Sequence, residues 1–386
     1  MSRLCTIKYY NSMRRLFMCC LLAFIFCSCT KLKHKDDLIL PIDVERQAIV
    51  DVNDIFSNVE YIQLELNEDN PIGPVDQIEV VDNIIYLSDG KTLFQYSLDG
   101  KYLCSLNRHG RGPSEYINIK KFYVHNDYIY IIDRNAKLLK YSTDNKFIIS
   151  KKIEFYPASC IVKDDKLLLT TAYQNEVNKF HVYNTHTLEE IQSFCPVPQS
   201  EIQWKHSMLQ HNFYVYEDYL LYYEPMNNTI SRIDIEAMSV TPYHNLHFKE
   251  GNPPENFWKG TFDNVMDFYD TAAKKGYNVG TYSYCENRNY IFFSYFLGEQ
   301  YTSCLYSKKN SRAVSFQKIA LHEKIPAIHT AEMRYNFKDE QHQYIVISDS
   351  KIFNEQGEPY VKDLLSNNSS NGNPIILKVN LRKNIE

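Results

Sequence analysis

Residues 128–150, YIYIIDRNAKLLKYSTDNKFIIS, contain three short runs of apolar, β-branched and aromatic residues with polar turns between them. Such residues suit the pleated faces of strands, and the chain as a whole is rich in tyrosine, with 31 residues against 2 Trp. Asp144 and Asn145 separate the second run from the third, and Asn tolerates the positive φ of a tight hairpin. The stretch predicts strand, turn, strand, hairpin and strand.

Runs like YIYIID (128–133) recur along the chain, and three of the six close on an aspartate, at Asp89, Asp133 and Asp349. The other five are IIYLSD (84–89), KLLLTT (166–171), YLLYYE (219–224), YIFFSY (290–295) and YIVISD (344–349). Successive runs lie roughly 40 to 70 residues apart, the range in which four-stranded propeller blades repeat. We therefore predict an all-β fold, a six-bladed β-propeller around a central channel.

A propeller must also close its ring. VEYIQLEL (59–66) precedes the first full repeat, and NPIILKVNL (373–381) lies near the end of the chain. We expect these N- and C-terminal strands to pair in one blade, because closure removes exposed sheet edges.

One late repeat is interrupted by residues 253–276, PPENFWKGTFDNVMDFYDTAAKKG. Phe257, Phe262, Met266 and Tyr269 recur at helical spacing between Pro254 and Gly276, which predicts a small helical insertion. Two interpretations stay open: the aromatic residues pack on a blade, or the insertion is a lid over one mouth of the channel.

Composition and net charge limit the classes of function that the chain can have. The chain has 386 residues, 44% hydrophobic and 23% charged, which is enough to bury a core. The net charge is −5, and the only Lys/Arg cluster lies near the N-terminus, so the sequence offers no basic stripe for nucleic acid.

The first 28 residues are predicted to be a signal peptide. Arg14 and Arg15 precede an apolar run from Leu16 to Phe26 and then small residues, and Met13 is a better start than Met1.

FCSC (26–29) resembles a bacterial lipoprotein box, which implies cleavage before Cys29 and lipidation of that residue. The partner would then be the outer membrane, reached through the lipid anchor. Lys35-Asp36-Asp37 resembles the surface-export signal of Bacteroidetes lipoproteins, so both the periplasmic face and the cell surface stay open. We assign residues 29–50 to a polar tether and residues 51–386 to the propeller.

The loop HGRGPSEY (109–116) suggests a phosphate-binding turn, but it has no GK[ST], Pro113 removes an N–H, and a strand follows where such sites need a helix. We interpret it as a connector between blades. Gly110–Tyr116, followed by YIYIID and LLKYSTDNKF, resembles an NHL-type repeat of the six-bladed propeller lipoproteins of Bacteroidetes. The resemblance implies architecture and location more than activity.

No catalytic residue and no cofactor is predicted. Carboxylates in a propeller channel can hold a metal, for which Asp89, Asp133 and Asp349 with His125 or His329 are the candidates, but a short acid after a strand more often caps a turn. Cys104, Cys160, Cys195, Cys285 and Cys304 are scattered without a CxxC, so no metal site is indicated, and whether Cys285 and Cys304 pair stays open.

Two aromatic patches are candidate ligand-binding sites for a peptide or glycan. One lies on the connector (Arg108, Arg111, Glu115 and Tyr116), and the other combines Trp204 and His206 with Tyr214. The sequence thus favours a non-enzymatic envelope lipoprotein that acts as a binding or assembly module for a protein, peptide or glycan. The alternatives are a metal-dependent propeller hydrolase or lyase and a structural subunit of an envelope complex.

Overall fold

The computed structural model describes residues 39–171, 178–198, 204–205, 212–340, 342–365 and 371–382. The chain divides into two units, residues 1–39 and 40–386, and of the first unit only Ile39 is described. The predicted signal peptide and Cys29 therefore lie outside the described residues.

Residues 128–150 form the predicted strands. Tyr128–Asp133, Lys137–Ser142 and Phe147–Lys152 pair antiparallel in sequence. Asn145 has φ 65° in the turn before the third strand, and Gly100 has φ 83° in the equivalent turn of the preceding repeat. A Cβ on Gly100 would lie 2.0 Å from the Gln63 carbonyl oxygen, so this turn requires glycine for space as well as for its φ angle.

The N-terminal part contributes strands β1 (Ile39–Ile42), β2 (Val44–Asp51) and β3 (Phe56–Gln63), with the short helix α1 (Val52–Ile55) before β3. The remaining strands form sheets that we number I to VI in chain order.

Sheets I to III each consist of four consecutive antiparallel strands. Sheet I contains β4 (Gln77–Val81), β5 (Ile84–Ser88), β6 (Leu93–Ser97) and β7 (Tyr102–Leu106). Sheet II contains β8 (Ile119–His125), β9 (Tyr128–Asp133), β10 (Lys137–Ser142) and β11 (Phe147–Lys152). Sheet III contains β12 (Pro157–Lys163), β13 (Lys166–Thr171), β14 (Asn178–Asn184) and β15 (Glu190–Pro196).

Sheets IV to VI each add one of the N-terminal strands. Sheet IV contains β16 (Asn212–Tyr216), β17 (Tyr219–Tyr223), β18 (Thr229–Asp234) and β19 (Ser239–Phe248), with β1 beside β19. Sheet V contains β20 (Asn278–Val279), β21 (Tyr284–Glu286), β22 (Tyr290–Leu297), β23 (Gln300–Ser307), β24 (Arg312–Ala320) and β25 (Ile328–His329), with β2 beside β24. Sheet VI contains β26 (Arg334–Phe337), β27 (Gln343–Ile347) and β28 (Ile375–Leu381), with β3 beside β28.

The pairing expected between segments 59–66 and 373–381 is confirmed. β3 runs antiparallel to β28, with Ile62 opposite Ile376 and Tyr61 opposite Leu377. The N-terminal strand thus completes the sheet that holds the last strand of the chain.

The boundary of the polar tether was wrong. Residues 39–50, predicted to belong to the tether 29–50, form β1 and most of β2, and β2 runs parallel to β24 from Val44 opposite Ala313 to Asp51 opposite Ala320. Most side chains of β2 are exposed, because the strand lies at a sheet edge and is held through its backbone. Its polar composition therefore resembled that of a linker.

The core lies between successive sheets. Separate groups of buried side chains join sheet I to II, sheets II, III and IV, sheets IV, V and VI, and sheet VI back to I. In the last group Tyr344 and Ile376 of sheet VI pack with Ile78 and Leu87 of sheet I. The molecule is an all-β propeller whose sheets bury their faces against one another.

The helical insertion between β19 and β20 is confirmed. It consists of α2 (Glu255–Trp258) and α3 (Val265–Lys274). The Asn264 side chain caps α3 by accepting hydrogen bonds from the N–H groups of Met266 and Asp267, and Gly276 follows the helix with φ 67°. Three 3₁₀ turns complete the described helices, at Thr330–Glu332, Asp349–Lys351 and Lys362–Leu364.

Candidate functional site

A cavity of about 720 Å³ lies between the sheets. Every sheet contributes residues in or next to its strands, through Ile78, Tyr123, Ile161, Phe213, Ser283 and Tyr335 in the order I to VI. All six sheets of the described residues thus border this cavity, which we call the channel. Its volume is in the range of small-molecule binding sites.

Aromatic side chains form much of the wall. They are Phe122, Tyr123, Phe213, Tyr223, Tyr269, Tyr282, Phe296, Tyr301, Tyr335 and Phe337. Tyr282 packs edge-on against Phe296 and Tyr301, with ring centroids 5.1 and 5.6 Å apart. Mutually packed rings of this kind are rigid apolar surfaces on which a flat or apolar ligand group can lie.

Polar side chains of the first strands tie neighbouring sheets together. The Gln77 amide donates to the Phe122 carbonyl at 2.7 Å, and its oxygen accepts from the Phe122 N–H at 3.1 Å. On the other side of β4, the Asn336 amide donates to the Ile78 carbonyl. First strands of different sheets do not share a backbone ladder, so these side chains satisfy backbone groups facing the channel.

Glu79 is the buried acid of the cavity, with 5% of its surface exposed. Its Oε2 accepts a hydrogen bond from the Val124 N–H at 2.9 Å, and its Oε1 accepts one from the Gln77 amide at 3.3 Å. Burial raises the pKa of Glu79 to about 7, although the charges of Lys338 and Lys121 and these hydrogen bonds act to lower it. Glu79 therefore changes charge near neutral pH.

Lys338 constricts the channel. Its carbonyl accepts the Val215 N–H from sheet IV at 2.9 Å, and its ammonium donates to the Val124 carbonyl of sheet II at 3.3 Å. The same ammonium lies 4.4 Å from the centre of the Tyr123 ring. One residue next to sheet VI thus contacts two further sheets, which closes the space between them at this level.

Lys121 is the second lysine of the cavity wall, on β8. Burial lowers the pKa of its ammonium, while Cys160, Glu79 and Asp76 act in the opposite direction. Within the described part of the chain no carboxylate lies within 4.0 Å of the Lys121 or Lys338 ammonium. The inner wall thus combines two amines with one buried acid.

Helix α3 borders the cavity through Val265, Met266, Tyr269 and Asp270. Its other side is packed, since Phe268 is fully buried and stacks on Trp204 with ring centroids 5.3 Å apart. The packing interpretation is confirmed for this side of the insertion, while the lid interpretation stays a prediction, supported by the side of the helix that borders the cavity. Met266 is 55% exposed at this mouth.

The connector loop is built as a structural element. A Cβ on Gly110 would lie 2.0 Å from Glu115 Oε2, and that carboxylate accepts the Gly112 N–H at 2.7 Å. The Tyr116 hydroxyl donates to the Leu106 carbonyl at 2.8 Å inside the core, and the Tyr141 hydroxyl donates to the Ser114 carbonyl at 2.6 Å. The loop thus joins sheets I and II.

The connector residues predicted to bind a ligand do not line the cavity. Arg108 and Arg111 are exposed, Glu115 is engaged within its own loop, and Tyr116 is fully buried. Tyr116 was therefore wrong as a surface ligand contact, because its ring fills the space between two sheets.

The second predicted patch is not exposed either. Trp204 is buried against the insertion, with its ring 4.8 Å from that of Phe262, so it is a packing residue. His206 lies outside the described residues.

The carboxylates of the three aspartates that close the repeated runs accept hydrogen bonds from backbone N–H groups. Asp89 accepts the Lys91 and Thr92 N–H groups at 2.9 and 2.8 Å. Asp133 accepts the Ile117 and Asn118 N–H groups, both at 3.0 Å, and Asp349 accepts the Gly372 N–H at 3.0 Å. The capping interpretation is confirmed for Asp89 alone, because Asp133 and Asp349 bind segments distant in the sequence instead of the turns that follow them.

The structure also shows the positions of the two histidines that were candidate metal ligands. His329 caps a 3₁₀ turn by accepting the Ala331 N–H at 3.1 Å, and His125 is half-buried at the end of β8. In the part of the chain that the structure describes, no group of three or more His, Cys, Asp or Glu side chains is arranged to hold a metal. Cys285 and Cys304 are both free.

Sequence reasoning missed Gln77, Glu79, Lys121 and Lys338 as channel residues. The available signal was a polar or charged residue within a short apolar strand, as in QIEVV (77–81) and IKKFYVH (119–125). Gln77 and Glu79 share β4, but Lys121 and Lys338 belong to two other segments, so no local motif joins all four. Among the described helices, none is long and apolar enough to cross a membrane.

A profile of the family described as domain of unknown function DUF4934 matches residues 39–380. Among solved structures, a Bacteroides fragilis protein provisionally described as exported shares 18% identity, with 89% of this chain and 100% of that chain covered and a TM-score of 0.66. The WD40 propeller of Doa1 aligns at 10% identity over 80% of each chain with a TM-score of 0.42, too distant to carry an argument. No curated protein sequence matches.

Proposed function

The chain belongs to the DUF4934 family, and from that premise we propose that it is a lipid-anchored envelope protein whose propeller binds a ligand in the central cavity. The observation that carries the proposal is the cavity itself, bordered by all six sheets and walled by packed aromatic rings with a few polar groups. A concave, mostly apolar site with few convergent polar groups is typical of a ligand-binding pocket.

In this proposal each sheet is one blade of a closed, six-bladed, NHL-like propeller. The separate hydrogen-bonded sheets of the described residues, the pairing of β3 with β28 and the packing of sheet VI on sheet I support six blades and closure. The connector loop, in which the Glu115 carboxylate accepts the Gly112 N–H and Tyr116 is buried between sheets I and II, supports the NHL-like assignment.

The proposed location is the outer membrane, on the periplasmic face or at the cell surface. The support is the charged and apolar segment ahead of Cys29, together with the description of the B. fragilis structure as an exported protein. Lipidation of Cys29 would hold the propeller at the membrane.

We propose binding rather than catalysis. Asp89, Asp133 and Asp349, which a metal-dependent hydrolase or lyase would use, are hydrogen-bonded to backbone N–H groups. A purely structural subunit of an envelope complex would not need a cavity walled by aromatic rings, so the cavity favours the binding module over that alternative as well.

The test is a ligand-observed NMR screen of soluble glycans, peptides and aromatic acids against the wild type and two variants. Ala331→Trp places a large ring at the exposed edge of the cavity, and Ala237→Trp is the matched change in an exposed turn away from it. We expect ligands that bind the wild type and Ala237→Trp but not Ala331→Trp. Ligands that bind all three proteins equally would refute a site in the channel.

A further inference from the structure

The charged groups of the cavity are separated by depth. Asp76, Asp270 and Glu299 are exposed and lie at its open side. Lys121 and Lys338 are half-buried, and both interact electrostatically with the buried Glu79. The two ammonium groups therefore lie around one carboxylate on the inner wall.

Glu79 does not fully satisfy the two lysines. Its oxygens already accept hydrogen bonds from the Val124 N–H and the Gln77 amide. Its pKa of about 7 also means that it is neutral in a large fraction of molecules at neutral pH. Neither lysine ammonium therefore forms an ion pair with Glu79 in the part of the chain that the structure describes.

The lysines retain donor capacity. An ammonium has three N–H donors, and Lys338 uses one of them for the Val124 carbonyl. Lys121 donates to no group within the described residues. Unpaired charge away from water is costly, so an anion bound between these donors would be stabilised.

We propose that Lys121 and Lys338 form an anion subsite of the cavity. It holds the carboxylate or sulfonate of an organic ligand whose apolar or aromatic part packs on the ring-lined wall. The inference rests on the proposed function and names the ligand class: an organic anion with a flat or apolar body.

The test compares two probes that differ in the anionic group. 8-Anilinonaphthalene-1-sulfonate and N-phenyl-1-naphthylamine have the same rings, and only the first carries a sulfonate. Binding of both is measured by fluorescence titration to the wild type, Lys121→Met, Lys338→Met, the charge-conserving Lys121→Arg, and the exposed control Lys91→Met.

We expect each Met variant to weaken binding of the sulfonate probe about tenfold, the effect of losing one charge-assisted hydrogen bond, and to leave the neutral probe unchanged. Lys121→Arg and Lys91→Met should bind both probes nearly as the wild type does. Thermal melts of all variants show that each is folded.

Equal weakening of both probes in the Met variants, or no weakening of either, would overturn the anion subsite and leave the ligand cavity standing. If neither probe binds the wild type, or if Ala331→Trp leaves both unaffected, the subsite and the proposed function fail together. The two failures are therefore distinguishable.

Discussion

The carboxylate of Glu79 on β4 accepts the backbone N–H of Val124 on β8 at 2.9 Å. This single contact joins two sheets and places an acid of raised pKa inside the channel. Sheets I and II are thus joined in part by a group that titrates near neutral pH.

The first prediction concerns stability and pH. The pKa of Glu79 is raised from 4.5 to about 7, so between these pH values the folded state binds a proton that the unfolded chain does not. Stability therefore falls as pH rises through this window, by about 3 kcal/mol from this group. Glu79→Gln should flatten the pH dependence measured by urea unfolding between pH 4.5 and 7.5. An unchanged slope in the variant would show that Glu79 does not titrate in this range.

The second prediction concerns Gly100. Gly100→Ala should destabilise the fold by at least about 2 kcal/mol, because the residue has positive φ and its Cβ would meet the Gln63 carbonyl. Gly276→Ala is the matched control, since Gly276 also has positive φ but nothing lies within 4 Å of its Cβ. Chemical denaturation compares the two, and equal losses would mean that the close approach to Gln63 contributes nothing.

A third prediction concerns Asp133. Asp133→Ala leaves the N–H groups of Ile117 and Asn118 without their acceptor and should cost about 2–4 kcal/mol of the free energy of unfolding. Asp133→Asn keeps one acceptor oxygen and should lose less. If Asp133 were instead a metal ligand, added EDTA would lower the melting temperature of the wild type, and we expect no such change.

Pairing of the two chain-end strands can be locked covalently. Glu60 and Lys378 are directly opposite on β3 and β28, and their side chains form an ion pair at 3.2 Å. The double variant Glu60→Cys/Lys378→Cys should form a disulfide that stabilises the protein by up to about 5 kcal/mol, because it closes a very long loop. The melting temperature of oxidised and reduced samples of the same variant measures the effect. A failure to oxidise under conditions that oxidise exposed thiols would contradict the register.

The last prediction concerns the anchor. In a bacterial host that processes lipoproteins, Cys29→Ala should abolish incorporation of labelled palmitate and move the protein from the detergent phase to the aqueous phase. Cys27→Ala changes a neighbouring cysteine of the same segment and should leave both unchanged. Retention of the label in Cys29→Ala would place the lipid elsewhere.

Local patterns predicted the strands because strand formation depends on short-range properties. The runs at 84–89, 128–133 and 344–349 all became strands, and Asn145 and Gly100 turned the chain where hairpin chemistry requires it. The insertion at 253–276 was recognisable for the same reason, since helical spacing and terminal residues are visible along the sequence.

The tether boundary failed because a polar segment can be held by backbone hydrogen bonds alone. β2 exposes most of its side chains and pairs with β24, more than 250 positions away. The amino-acid composition of a segment indicates whether its side chains are buried. It does not indicate which of its backbone groups form hydrogen bonds with another strand.

By itself the sequence determined the elements: tyrosine-rich strands, tight turns, a capped helix and a glycine-containing connector. The tertiary structure alone decided the site, because Glu79, Lys121 and Lys338 belong to separate segments of the chain that meet only when the sheets surround one cavity. Local conformation follows from neighbouring residues, whereas charge proximity and burial depend on packing between residues distant in the chain.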